Sequence, residues 1–127
     1  MLFRSNLLAP IALDVERLPW PVSRAAAIVC INMIHIAPFT ACEALFDGAS
    51  RCLAHGAPIY LYSPFRLNGA HTAESNATFD ASLRARDARW GVRDLEVVTA
   101  CASARGFELA RVEQMPANNL SAVFVKA

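Results

Sequence analysis

The stretch Ala25-Ala26-Ala27-Ile28-Val29-Cys30-Ile31-Asn32-Met33-Ile34-His35-Ile36-Ala37-Pro38 passes from an unbroken apolar run into polar side chains. The residues from Ala25 to Ile31 read as a strand covered on both faces, because a half-exposed strand alternates. In open α/β sheets, ligands bind outside the carboxyl ends of such strands. Asn32 and His35 are therefore the first candidate site. Two roles are open to each. Asn32 either faces a ligand or satisfies backbone groups at the strand end, and His35 is either an acid–base group or a packed, hydrogen-bonded histidine.

Working outward, positions 42, 45, 46, 49, 52 and 53 are apolar at helical spacing, which predicts a helix from Thr40 to a stop at Gly56. Pro58 to Tyr62 is the next buried strand, completing a βαβ unit. A long polar connection from Ser63 to Asn76 contains the turn signal Asn68-Gly69, and its length suits a functional segment. A helix with Phe79 and Leu83 on one face follows, with Ser75 or Asn76 as its N-cap, and ends before Trp90-Gly91. Asp94 is the N-cap of a last helix bearing Leu95, Val98, Cys101 and Ala102. Two strands, Phe107 to Gln114 and Leu120 to Lys126, finish the chain. Their connection is so short that they must be antiparallel neighbours.

With 127 residues, 55% of them hydrophobic, the chain is long enough for one core and too short for two, so a single domain is expected. Twelve basic against eleven acidic residues, with no basic stripe, argue against nucleic-acid binding. Cys30, Cys42, Cys52 and Cys101 form no Cys-x-x-Cys pair, and His35, His55 and His71 show no metal-ligand spacing. Reduced thiols and no metal are expected. The low-polarity segment 25–39 is too short to span a bilayer. The start, Met1 to Pro10, lacks a convincing cleavage site, so the expected location is the cytoplasm.

The series Asn32 to Pro38, Leu61-Tyr62-Ser63-Pro64-Phe65, Asn68-Gly69, His71-Thr72, Ser75-Asn76, Phe79-Asp80, Leu83-Arg84, Trp90-Gly91-Val92-Arg93-Asp94 and Met115-Pro116-Ala117-Asn118-Asn119 resembles an uncharacterised family of methyltransferase-like proteins. That family has the class I S-adenosylmethionine-dependent methyltransferase fold, and the resemblance runs from about Pro10 to the C-terminus. It implies an α/β fold: a Rossmann-like sheet of parallel strands, helices on both faces, and a C-terminal antiparallel hairpin. It also implies S-adenosylmethionine as cofactor and a small-molecule methyl acceptor. Asp14, Asn32 and Met33 are the implied cofactor contacts, and His35 with Asn32 the implied catalytic pair. Tyr62, Phe65, Asn68, His71, Ser75, Asn76 and Asn118 are the implied substrate pocket.

Two departures stand out. Ser63 occupies a place where glycine is expected and would narrow the approach of a ligand. The five glycines, at positions 48, 56, 69, 91 and 106, cannot make the glycine-rich turn that holds the cofactor in this class. The chain thus resembles the C-terminal portion of the domain and is expected to be inactive alone. The alternative is a non-catalytic binding or interaction module. In either case the strand at 25–31 would lack its first-strand neighbour and leave an open sheet edge, inviting self-association.

Overall fold

A computed structural model describes residues 6–127. The first five residues of the apolar start lie outside the described residues. In chain order the elements are β1 (Ile28–Ile31), α1 (Phe39–Cys52), β2 (Pro58–Ser63), β3 (Phe65–Leu67), β4 (Ala70–His71), α2 (Glu74–Arg86), β5 (Arg93–Asp94), α3 (Leu95–Ala104), β6 (Phe107–Met115) and β7 (Asn119–Lys126). The main sheet runs β1-β2-β7-β6. β1 and β2 are parallel, joined through α1, whereas β7 is antiparallel to both β2 and β6. This is a mixed α/β fold with the expected antiparallel pair at its end.

Apolar burial explains the arrangement. Cys42, Leu45, Phe46 and Ala49 on α1 join Val98 and Ala102 on α3 in one cluster with Ile59, Leu61, Ala122 and Phe124 of the sheet. Phe46 is fully buried, its ring 5.5 Å from that of Phe107 and 5.3 Å from that of Phe124. One aromatic trio thereby ties α1 to both hairpin strands. α1 ends at Cys52 rather than Gly56, because Leu53 leaves the helix and bridges to Ala25. The Lys126 ammonium donates to the carbonyls of Ser50 and Leu53 at 2.6 and 2.8 Å. A cation there satisfies the free carbonyls of the last turn.

The strand expected at 25–31 is shorter and less covered than its composition suggests. Only Ile28–Ile31 is extended in the sheet, and Val29 and Ile31 are 65% and 61% exposed. The reason is its edge position: β1 pairs with β2 alone. Helices were expected on both faces, but α1 and α3 pack on one. Residues 6–27 form no helix to cover the other, where Val29 and Ile31 lie in register with Tyr60 and Tyr62. The stretch 11–15 forms no strand; Val15 and Trp20 instead pack against the core beside α1.

The connection at 63–76 is a second small sheet. Asn68 and Gly69, both at positive φ, form the two-residue turn of the β3–β4 hairpin, and β5 joins β3 in parallel. α2 starts at Glu74 with Ala73 as N-cap, not Ser75 or Asn76. Asp94 does precede α3, yet its carboxylate makes no capping bond and pairs instead with Arg66 at 3.2 Å. No helix among the described residues is long and apolar enough to cross a membrane.

Phe46→Ala is expected to cost about 3–5 kcal/mol in urea denaturation, and Val29→Thr on the uncovered face less than about 0.5 kcal/mol. Equal small losses would show that the trio is not the anchor of the core.

Candidate active site

A cavity of about 510 Å³ opens beyond the C-terminal ends of β1 and β2, lined by Asn32, His35, Ile36, Pro64, Ser75, Asn76, Phe79, Ala117 and Asn119. Three segments build it: the turn after β1, the N-terminal half of α2, and the β6–β7 connection. Asn32 sits at φ 54° and its amide N–H bonds the Tyr62 carbonyl at 2.8 Å, closing β1 and turning the chain. Asparagine tolerates that left-handed conformation. Ala117, also left-handed at φ 61°, does not, so the connection holds backbone strain of order 1 kcal/mol at the cavity wall.

His35 is buried, with 4% exposure. Its Nδ1 lies 3.1 Å from Ser63 Oγ, and Ser63 Oγ donates its one proton to the Pro64 carbonyl at 2.9 Å. With the Ser63 proton directed at Pro64, Ser63 accepts from Nδ1–H, the neutral tautomer with its lone pair on Nε2. Nε2 has no hydrogen-bond partner among the described residues. Burial, and secondarily the positive charge of Arg93, hold the imidazole below the usual histidine range. His35 is thus an unprotonated base at neutral pH. Ser63, which the sequence suggests would narrow the approach of a ligand, instead orients this ring. Phe79 meets the ring edge-on at 5.7 Å and is 40% exposed at the cavity mouth while Leu83 is buried. The two were expected on one apolar face.

The polar wall is a chain of amides. Asn76, buried, donates to the Asn118 carbonyl at 3.1 Å and to Thr72 Oγ1 at 3.3 Å. The Asn118 amide donates to Ser75 Oγ at 3.4 Å, and that of Asn119 to the Tyr62 hydroxyl at 3.2 Å. Asn32, His35, Ser75 and Asn76 come together at the cavity as the sequence suggests, with Asn118 and Tyr62 bonded just behind. Five other expected site residues lie elsewhere or face inward. Phe65 is wholly buried in the core. Asn68 is on an exposed turn, its amide N–H bonded to Glu96. Met33 lines a separate apolar cleft with Leu13, Val15, Trp20 and Val22. His71 pairs with Asp80 at 3.4 Å. Asp14 is exposed, and its carboxylate accepts from the Glu16 amide N–H at 3.0 Å. Ile36, Pro64, Phe79, Ala117 and Asn119 line the cavity unannounced; the quoted motifs contain all five, and nothing in residue type marks them as lining.

Residues 2–126 match the family described as "Protein of unknown function (DUF938)". The chain belongs to that family. Among solved structures, this DUF938 chain is similar to human N-acetylserotonin methyltransferase in complex with S-adenosylmethionine, at 13% identity and a TM-score of 0.76, over 90% of this chain and 32% of that one. It is also similar to a methyltransferase of calicheamicin biosynthesis in its S-adenosylhomocysteine-bound form, at 16% identity and a TM-score of 0.75, over 92% of this chain and 34% of that one. A third similar structure is described as a pericyclic reaction enzyme, at 14% identity and a TM-score of 0.74, over 90% of this chain and 29% of that one. The DUF938 chain spans about a third of the length of these proteins and has the fold of a part of them.

A histidine held below its unfolded value is neutral in the native state while the unfolded chain, titrating near 6.5, takes up a proton. Stability should therefore fall as pH drops through about 6.5, and the fall should be smaller in His35→Gln. Equal pH dependence of both proteins in denaturant titrations would mean that the ring titrates normally.

Proposed function

We propose that this chain provides the acceptor side of an S-adenosylmethionine-dependent methyltransferase, with His35 as general base. The observation that carries the reading is the unpartnered Nε2 of a buried, tautomerically fixed histidine facing a polar cavity at the strand ends. The placement is that of ligand sites in open α/β sheets. The fold likeness to methyltransferases bound to S-adenosylmethionine or its product supports the cofactor class.

The residues present fit one end of such a cofactor. Asn32, whose side-chain amide makes no hydrogen bond among the described residues, would face its methyl-bearing end. Among the described residues none at the tips of β1 and β2 fits the ribose. None of the five glycines forms a turn after a strand of the parallel pair, and Gly48 lies inside α1 against the Trp20 ring. Asp14 remains a proposed contact to the cofactor's adenine, and Met33 a proposed contact to its methionine end.

When bound, the cofactor supplies an electrophilic methyl group on a sulfonium. The rest is positioning and, at most, one proton. His35 Nε2 takes the proton from the acceptor as its oxygen or nitrogen becomes methylated, and Nδ1–H stays on Ser63. Asn119, Asn76 and Ser75 offer hydrogen bonds to a small polar acceptor, and Phe79 with Pro64 an apolar wall. No cavity-lining side chain carries a full charge, which favours an uncharged acceptor. The proposed setting is the cytoplasm.

The uncovered sheet face favours a second reading, a non-catalytic module that associates with itself through the β1 edge. A sedimentation profile independent of concentration would remove it.

The chain alone is expected to show no micromolar S-adenosylmethionine binding in calorimetry. A chimera carrying the first two strands and glycine-rich turn of a full-length relative ahead of Leu7 is expected to bind. In it, His35→Ala should leave affinity within about twofold and lower methyl transfer about 10²- to 10⁴-fold. A folded chimera indifferent to the cofactor would overturn the methyltransferase reading.

A further inference from the structure

The segment Trp90 to Asp94 is prominent in the sequence and stands outside the cavity, and its hydrogen bonds tie the turn that carries His35 to Asp80 of α2. In the turn 33–38 the Met33 and Pro38 carbonyls accept from the Ile36 and Ala41 amides, whereas those of Ile34, His35 and Ala37 are bonded from the segment Gly91 to Arg93. The Gly91 amide N–H donates to the His35 carbonyl at 3.0 Å. Arg93 Nε donates to the Ile34 carbonyl at 3.0 Å, and its Nη2 to the Ala37 carbonyl at 2.7 Å and the Arg89 carbonyl at 2.8 Å. The guanidinium rests 5.5 Å from the Phe39 ring centre, and no salt bridge engages it among the described residues. Arginine is suited to this work: its planar fork reaches several carbonyls at once, and it is less strongly hydrated than an ammonium.

The staple is anchored on α2. Asp80, buried, accepts from the Val92 amide N–H at 2.8 Å and from Arg84 Nε at 3.1 Å, with His71 Nε2 at 3.4 Å. A Cβ on Gly91 would lie 3.0 Å from Asp80 Oδ1 and 3.1 Å from Arg84 Nη2, so a side chain there would press on the anchor.

We propose that Arg93 is the positioning residue of this site, holding the 33–38 turn with Gly91 so that the His35 ring stays fixed on Ser63 and presents Nε2 to the cavity. Asp80 is the anchor that fixes the register of the staple. The inference rests on the reading of His35 as the base, but its test needs neither cofactor nor acceptor. A failure to transfer methyl groups therefore leaves it standing, and a failure of the staple leaves the methyltransferase reading standing.

The test is nitrogen-15 NMR of the His35 ring in the full chain, where tautomer and titration are read directly. The charged groups bearing on the ring are Arg93, with Asp80 and Arg84 from α2 and His71 from β4 behind it. In Arg93→Lys the charge is kept and the fork lost, so the ring should show a mixed tautomer while its titration stays low. In Arg93→Met the charge is lost too, and the titration midpoint should rise. Gly91→Ala should mix the tautomer without touching Arg93. A merely structural arginine would lower the unfolding midpoint and leave tautomer and titration unchanged in the folded Lys and Ala variants, which would overturn the proposal. Should the variants not fold, hydrogen exchange of the unmodified protein decides: the Gly91 and Val92 amides should be protected as well as those of β2, and fast exchange there would equally overturn it.

Discussion

Burial of the α1 face against β2 and β7 is the constraint on which everything else hangs. Phe46 can leave water only if Phe107 and Phe124 close over it, and those two residues belong to the last two strands. The hairpin must therefore fold back beside β2, and β7 must run antiparallel to it, for α1 to be covered at all. The parallel β1–β2 pair follows, since α1 is the crossover that joins them. Without the hairpin the helix would keep a wholly apolar stripe in solvent, and the strand tips would have no fixed position.

The site is a consequence of where these strands stop. β1 and β2 end at the same level, with the Asn32 amide bonded to the Tyr62 carbonyl, and the chain turns away twice, at Asn32 and at Pro64. The cavity between the two departures is walled by α2 and by the β6–β7 connection. Polar side chains gather there because backbone groups at strand ends need partners, and the same amides remain available to a ligand. The neutral His35 is the sharpest chemical feature. With the Ser63 hydroxyl donating to the Pro64 carbonyl, the ring proton sits on Nδ1 facing Ser63 Oγ.

The uncovered side of the sheet matters as much as the covered one. Val29, Ile31 and Tyr60 form an exposed row, and the segment 13–22 lies against the neighbouring side of β1, leaving an apolar cleft of about 330 Å³ beside Trp20. Exposed apolar surface joined to a free strand edge is what protein association uses.

Apolar spacing was enough to read α1, because it records which face the helix buries, and the short connection between β6 and β7 was enough to make them antiparallel neighbours. Asn32 and His35 were legible because polar residues after an apolar run mark a strand tip. The apolar run itself misled at Ala25 to Ile31: composition shows that residues can be buried, and only the sheet order shows that β1 is an edge. Asn68-Gly69 signalled a turn, but whether its flanks pair depended on β5, distant in sequence. Sequence could not place Asp14, Met33 or Phe65, since a side chain's direction depends on packing partners elsewhere in the chain. Nor could it connect Trp90 to Asp94 with His35. Those bonds join backbone carbonyls to groups more than fifty residues away, and carbonyls carry no sequence signature, so tertiary structure alone decided them.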